Sequence, residues 1–190
     1  NGSISSAITY AASSTLHGMR ILGGSGYTVT NNYIGGSAPL ATGSNATYAT
    51  SAGNLAYQGI LLNTSSDTLV SNIKGNTIAK INITSFPVAA SSTAFIGIET
   101  DGLGINIGGK AAGEGNLVGS NNANSSIIVT TSTGTSTFTS LIWGIYCYSS
   151  GGSVIGNQVG GIDISNIGSA PAPSTFLGIY VNNAVAPSKV

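Results

Sequence analysis

The sequence predicts an all-β fold in which repeated strands stack on one another as a single β-solenoid spanning residues 1–190. Two recurring patterns and the absence of a helical pattern indicate this fold. Apolar residues nowhere follow a 3.6-residue spacing with helix caps, so helix content should be close to nil. A chain of 190 residues is long enough to bury one sizeable core.

The first pattern is a small polar residue and an apolar pair, followed by glycine and an aliphatic residue. It begins near residues 14, 55, 93, 140 and 174. Its glycines are Gly18, Gly59, Gly97, Gly144 and Gly178, so the spacings are 41, 38, 47 and 34 residues. Five copies at comparable spacing predict five equivalent strands.

The second pattern is asparagine followed two residues later by isoleucine or valine, and it comes after each of the first four glycine patterns. Each copy is expected to form a second strand centred on its asparagine, and these asparagines are Asn32, Asn76, Asn116 and Asn157. If equivalent strands stack at about 4.8 Å, each amide can hydrogen-bond to the copies above and below it. The sequence therefore predicts a structural asparagine ladder at corners of the stack, where the amides satisfy one another.

Side-chain alternation along the glycine strands separates an inner face from an outer face. The inner face is expected to carry Met19, Ile60, Ile98, Ile145 and Ile179, followed two residues later by Ile21, Leu62, Thr100, Cys147 and Val181. The outer face is expected to carry Arg20, Leu61, Glu99, Tyr146 and Tyr180. Cys147, the only cysteine, is thus predicted to be a small buried core residue without a disulfide.

Stretches of variable length separate the repeats and are interpreted as loops or insertions. In the stretch 121–140, threonine and apolar residues alternate on both sides of Thr133-Gly134, which favours a projecting β-hairpin or a long polar loop. The stretch also contains a threonine array, Thr131, Thr133, Thr135, Thr137 and Thr139, which suggests ice binding, although it occurs in one repeat only. A propeller with blades of about 40 residues is the alternative architecture.

Three segments carry a resemblance to a known family: "GIYCYSSGGSVIGNQVGGIDIS" at 144–165, "GINIGGKAAGEGNLVGS" at 104–120 and "SNIKGNTIAKINIT" at 71–84. In these segments the chain resembles right-handed parallel β-helix proteins, in the style of large secreted bacterial surface proteins and adhesins. The resemblance covers most of residues 14–185 and implies a right-handed parallel β-helix. Because the repeats are longer than one plain turn of such a fold, one turn with an insertion is favoured over two turns.

Charge is scarce, with 5 Lys+Arg and 5 Asp+Glu, or 5% charged residues, against roughly 25% in ordinary soluble domains. Serine, threonine and asparagine, with 28, 20 and 18 residues, supply polarity instead. A net charge of zero offers no basic patch for nucleic acid or anionic lipid. No window approaches 18 consecutive apolar residues, so membrane insertion as a helix is not expected.

Catalytic groups are also scarce. The acidic residues are Asp67, Glu99, Asp101, Glu114 and Asp163. Only Glu99 and Asp101 lie close in sequence, where they could share a cation or a proton, although Asp101 also suits the turn that follows it. The only histidine, His17, aligns with unrelated residues in the other repeats, so its position tolerates any side chain. The sequence predicts no catalytic residue, no metal site and no cofactor.

The function predicted first is that of a non-enzymatic extracellular protein of the bacterial surface, such as a stalk, a filament subunit or an adhesin segment. Its expected partners are further copies of itself or other surface proteins, because an uncapped stack with little charge leaves ends that can pair. The alternative is binding or degradation of polysaccharide, since aromatic rings can stack on sugars. The residues for that role are Trp143, Tyr146, Tyr180, Glu99 and Asp101. The start at Asn1 suggests a mature or excised segment.

Overall fold

The structure, a computed structural model, describes residues 7–66, 68–87, 89, 91–131, 138–167 and 173–182. This part of the chain contains eighteen β-strands in four sheets and one 3₁₀ turn, Pro39–Ala41. All strand pairs are parallel. The predicted all-β fold is confirmed. Within the described residues, no helix has the length and hydropathy that crossing a bilayer requires.

Sheets 1 and 2 have five strands each. In spatial order, sheet 1 consists of β1 (Ile8–Tyr10), β5 (Ala46–Thr50), β9 (Ile81–Ser85), β13 (Ile127–Thr131) and β17 (Ile162–Asn166). Sheet 2 consists of β2 (Ser14–Leu22), β6 (Leu55–Asn63), β10 (Ser91–Leu103), β14 (Thr139–Ser150) and β18 (Ser174–Val181). The five predicted glycine strands are the strands of sheet 2.

Sheets 3 and 4 have four strands each. Sheet 3 consists of β3 (Thr28–Thr30), β7 (Ser71–Lys74), β11 (Ile105–Gly108) and β15 (Ser153–Ile155). Sheet 4 consists of β4 (Tyr33–Ile34), β8 (Thr77–Ile78), β12 (Leu117–Gly119) and β16 (Gln158–Gly160). The asparagine pattern was expected to form one strand, but it spans both sheets, and each asparagine lies at the bend between them.

The chain visits sheets 1, 2, 3 and 4 in turn and then returns to sheet 1. Each internal strand of a sheet therefore pairs with the strands four places before and after it, and one repeat contains four strands. The propeller alternative is wrong, because the strands of a propeller blade form their own antiparallel sheet. Here consecutive strands lie in different sheets.

Two of the stretches interpreted as insertions, 37–54 and 121–140, contain regular strands of sheet 1, β5 and β13. One of them, β13, coincides with the first half of the predicted hairpin, yet it pairs in parallel with β9 and β17. The described arms of that hairpin belong to two different sheets, so the hairpin is wrong for those arms. Its tip, residues 132–137, lies outside the described residues, together with most of the threonine array. Each repeat is long because it forms four strands.

The inner faces of all four sheets meet in one apolar core. Four of its fully buried side chains, one from each sheet in order, are Ile83, Ile60, Ile73 and Ile78. Cys147 also lies in this core, as predicted. Ile179 and Val181 were predicted to be inner residues but are exposed, because β18 is the last strand of sheet 2.

The two sequence patterns are the two halves of one contact across the core. A Cβ atom added to Gly97 would lie 2.5 Å from the carbonyl oxygen of Gly144 and 2.5 Å from a methyl group of Val118. Gly59 faces Ile78 in the same way, at 3.0 Å. Glycine in sheet 2 therefore leaves the space that the isoleucine or valine of sheet 4 occupies.

Candidate functional site

The outer face of sheet 2 carries the residues predicted for carbohydrate binding. Strand pairing places the predicted outer residues in one column, Arg20, Leu61, Glu99, Tyr146 and Tyr180. A second column, two residues further along each strand, contains Leu22, Asn63, Asp101 and Tyr148. A third column contains His17, Gln58, Ile96, Trp143 and Leu177, in the alignment expected from the repeats. All five predicted residues therefore lie on three adjacent strands.

Four of these side chains form an aromatic cluster, which we define as Trp143, Tyr146, Tyr148 and Tyr180. The ring centroid of Trp143 lies 4.8 Å from that of Tyr146 and 5.2 Å from that of Tyr180, both edge-on. Tyr146 stacks on Tyr180 at 5.5 Å and lies parallel to Tyr148 at 6.4 Å. Tyr148 was not predicted, although it follows Tyr146 by two residues and therefore shares its face of the strand.

Ring stacking limits what this cluster can bind. Tyr146 and Tyr180 each turn one ring face to the other, with 3° between the ring planes, so those faces are closed to a sugar. Trp143 packs against the same two rings. Tyr148 is 42% exposed and is the ring of the cluster most open to a ligand.

The two neighbouring carboxylates bind amides on the adjacent strand, β6. Glu99 accepts a hydrogen bond from Nε2 of Gln58, and Asp101 accepts one from Nδ2 of Asn63 at 3.1 Å. Burial raises the pKa of Glu99, the charge of Asp101 raises it further, and the bond from Gln58 opposes both. Among the described residues, no three histidine, cysteine or acidic side chains come together as metal ligands.

Replacing Glu99 with glutamine should make the free energy of unfolding less dependent on pH. A carboxyl whose pKa is raised by folding holds its proton more tightly in the folded state. Its contribution to the free energy of unfolding is therefore complete below the ordinary pKa of 4.5 and is lost as the pH rises through its pKa in the folded state. We expect Glu99→Gln to gain stability relative to the parent between pH 4 and pH 7, as measured by urea unfolding.

Glu114 is the matched control for this experiment. Its pKa is lowered by a hydrogen bond from Lys74, whose Nζ lies 2.9 Å from Oε1. A carboxyl whose pKa is lowered by folding stabilises the protein at pH values above its ordinary pKa, and this stabilisation is lost as the pH falls. Glu114→Gln should therefore lose stability relative to the parent between pH 4 and pH 7. Parallel pH profiles for Glu99→Gln and the parent would contradict the assignment at Glu99.

The four asparagines of the second pattern form a continuous hydrogen-bonded ladder. Nδ2 of Asn32 donates to Oδ1 of Asn76 at 2.9 Å, Asn76 donates to Asn116 at 2.9 Å, and Asn116 donates to Asn157 at 2.8 Å. Each receiving Oδ1 also accepts the backbone N–H of the preceding asparagine at 3.0 Å. The ladder thus ties the bend between sheets 3 and 4 in all four repeats.

A second row of polar side chains, which the sequence patterns did not reveal, runs along sheet 3. Asn106 donates through Nδ2 to Oδ1 of Asn72 at 3.3 Å, and Ser153 donates through Oγ to Oδ1 of Asn106 at 2.9 Å. Asn72 and Asn106 occupy equivalent positions on adjacent strands. The sequence signal for this row is an asparagine immediately before an isoleucine, in Ser71-Asn72-Ile73 and in Ile105-Asn106-Ile107.

A groove of about 590 Å³ lies between residues 120–124 and 159–161. Its lining consists of serine, asparagine, alanine, valine and glycine, with no titratable side chain. A smaller groove of about 370 Å³ lies beside the loop 109–115 and contains one lysine, Lys110. Neither groove brings together an acid and a base for catalysis.

Comparison with family models, with curated proteins and with solved structures found no match to this chain. Two features of the described residues bear on function: the asparagine ladder and the aromatic cluster beside Glu99 and Asp101.

Proposed function

We propose that the chain is a right-handed parallel β-solenoid that serves as a non-enzymatic structural or adhesive protein of the bacterial surface. A stalk, a filament subunit and an adhesin segment all need a stiff rod with a neutral exterior. The observation that carries the proposal is the asparagine ladder, because it links all four repeats through side-chain amides, of which the two inner ones, Asn76 and Asn116, are buried. A fully satisfied buried polar network specifies one arrangement and resists bending.

The environment of the acidic residues supports a non-enzymatic role. In the described part of the chain, each carboxylate has a polar partner: Gln58 for Glu99, Asn63 for Asp101, Lys74 for Glu114, and Ser125 for Asp163. Acid–base catalysis on glycosides needs two carboxylates facing one substrate bond. Here the partners are structural neighbours on adjacent strands or loops.

Electron microscopy of the purified protein, beside a size measurement on the same sample, tests this proposal. A surface rod that assembles should give filaments or defined oligomers whose abundance grows with protein concentration. Compact monomers at every concentration would contradict self-assembly and would leave an adhesin segment as the structural role to test. Hydrolysis or elimination of any polysaccharide by the purified protein would contradict the non-enzymatic assignment.

Glycan binding is a second candidate, favoured by the exposed Tyr148 ring beside Tyr146. The carboxylate of Asp101 occupies the equivalent position on the neighbouring strand and could accept hydrogen bonds from sugar hydroxyls. The described residues of this face bring no cation close to the ring. A neutral polysaccharide therefore fits the face better than an acidic one.

Replacing Tyr148 with alanine should abolish retardation of the protein in gels containing a neutral polysaccharide, because the open ring face is lost. The matched control is Tyr33→Ala, which removes an exposed ring from β4 in sheet 4. Equal mobility changes for the two variants would contradict a site on sheet 2. Absence of retardation for the parent across neutral polysaccharides would argue against glycan binding altogether.

A further inference from the structure

Sheet 2 ends in an apolar strand that the described residues leave uncovered. Phe176, Ile179 and Val181 of β18 are 45%, 46% and 45% exposed. The residues paired with them on β14 are buried in the core. The side chains of β18 are more exposed because β18 pairs only with β14 in the described structure, whereas each internal strand has a neighbour on both sides.

Gly178 indicates that a further strand pairs with β18. In the other four repeats, a Cβ atom added to the equivalent glycine would lie 2.3–2.7 Å from the carbonyl oxygen of the glycine on the next strand. At Gly178, no described atom lies within 4 Å of the same position. Nothing described within the chain therefore requires glycine here, but a further strand paired with β18 would require it.

The opposite edge of sheet 2 presents a strand of matching pattern. The inner positions of β2 carry Leu16, Met19 and Ile21, which are partly buried and pack against the core. The outer position between Met19 and Ile21 carries Arg20. In the described residues, β2 pairs with β6 alone, so its second edge is also open.

We propose that β18 of one molecule pairs in parallel with β2 of a second copy, so that copies stack head to tail. The register of the internal strands then places Ile179 beside Met19, Val181 beside Ile21, and Gly178 beside Gly18 of the second copy. This inference rests on the proposed structural role and names the chain itself as the partner.

Chemistry on the outer face fits the same register. Tyr180 ends the column whose first member is Arg20, so stacking brings Arg20 of the second copy next to the Tyr180 ring. A spacing of about 4.8 Å between strands is within the range for a cation–π contact. One face of Tyr180 already stacks on Tyr146, and the other face points along the stack toward the joint.

Sheet 1 can continue through the same joint. Sheet 1 ends in β17 on the side of β18 and in β1 on the side of β2, so both five-stranded sheets continue through the joint. Sheets 3 and 4 have one strand fewer, so the joint pairs strands in sheets 1 and 2 and leaves a gap one strand wide in sheets 3 and 4.

A contact between two different surfaces that repeats in one direction produces an open chain of copies. Head-to-tail stacking would therefore yield unbranched filaments that lengthen with concentration. The filament axis would follow the stacking direction of the sheets.

Gly178→Ala is the direct test, with sedimentation velocity over a concentration series as the measurement. The added methyl group has free space in the single molecule but would meet the carbonyl oxygen of Gly18 in the joint. We expect at least a tenfold loss of association, with unfolding unchanged in dilute solution. Arg20→Gln should weaken association less, and Lys110→Gln, which removes the same charge from an exposed loop, should leave it unchanged.

A crosslinking experiment tests the register independently of any loss of folding. His17 and Leu177 occupy the same outer column and become neighbours across the joint. Within one molecule they lie four strands apart, about 19 Å at roughly 4.8 Å per strand. The double variant His17→Cys/Leu177→Cys should therefore form a ladder of disulfide-linked oligomers under mild oxidation. The native Cys147 is buried and does not compete.

The outcomes separate this joint from the broader structural role. A ladder in the double variant, together with loss of association in Gly178→Ala, supports the joint. The joint is overturned if Gly178→Ala still forms oligomers and the double cysteine variant gives no more than the disulfide-linked dimers formed by His17→Cys or Leu177→Cys alone. Self-assembly would then use another surface. A parent protein that stays monomeric at all concentrations overturns both the joint and the self-assembly proposed above.

Discussion

Replacing Gly97 with alanine should destabilise the protein by at least about 3 kcal/mol, because the new methyl group has no space on either side. Its Cβ atom would lie 2.5 Å from the carbonyl oxygen of Gly144 and 2.5 Å from a methyl group of Val118. The oxygen belongs to a strand paired on both sides, so it cannot move without disturbing sheet 2. Urea unfolding followed by circular dichroism measures the loss as a lower transition midpoint.

Gly178→Ala is the matched control for this prediction. It makes the same substitution at the same place in the repeat, but no described atom lies within 4 Å of the added Cβ. In dilute solution its transition midpoint should stay close to that of the parent. Equal losses at Gly97 and Gly178 would mean that intrinsic strand preference, and not the contact across the core, explains the glycines.

A double variant separates the two halves of the clash at Gly97. Val118→Ala alone should destabilise the protein by removing buried methyl groups. Combined with Gly97→Ala, it frees space for the new methyl group, so the double variant should be more stable than the sum of the two losses predicts. Strict additivity would contradict the contact between the two sequence patterns.

The strands of sheet 2 could be predicted from the sequence because each carries a glycine in the same place. Sheet 1 could not, since no fixed spacing leads to its strands. From the asparagine of each repeat to the start of the sheet 1 strand that follows, the distances are 14, 5, 11 and 5 residues. Loops of different length precede these strands and conceal their period, although alternation within "INITS" and "IDISN" is visible.

The sequence predicted which residues of the candidate site share an outer column, but not which side chains contact one another. Repeat alignment alone places Glu99, Tyr146 and Tyr180 in one outer column, and the strand pairing agrees. Whether tyrosine rings offer their faces to a ligand or to each other depends on side-chain torsions that the alignment does not contain. The structure stacks Tyr146 on Tyr180, which favours a role for these rings in stabilising sheet 2.

Replacing Asn116 with alanine should cost about 3 to 5 kcal/mol, because its side chain satisfies four hydrogen bonds in the interior. Oδ1 accepts the backbone N–H of Asn76 at 3.0 Å and its Nδ2 at 2.9 Å. Nδ2 donates to the carbonyl oxygen of Ile73 and to Oδ1 of Asn157, both at 2.8 Å. Alanine would leave the buried backbone N–H of Asn76 without this bond, and it would remove one of the two bonds made by Nδ2 of Asn76 and by Oδ1 of Asn157. Urea unfolding measures the loss.

The end of the ladder provides the control for Asn116. Asn32 is partly exposed, and its side chain donates to Asn76 and to the carbonyl oxygen of Thr30. Water can replace those bonds, so Asn32→Ala should cost only about 1 kcal/mol. Similar losses for Asn32→Ala and Asn116→Ala would show that water also reaches the interior of the ladder.

Asn116→Asp separates loss of hydrogen-bond donors from loss of shape. Aspartate keeps the size of asparagine and the acceptor oxygen Oδ1, but when ionised it donates nothing to Ile73 or Asn157 and buries a charge. Burial raises the pKa of such a carboxyl, so the variant should be most stable below about pH 4 and lose stability as the pH rises. A pH-independent loss would mean that the bend between sheets 3 and 4 opens to solvent in the variant. The ladder would then be able to break at one repeat while the neighbouring repeats stay folded, which a stiff surface rod could not tolerate under load.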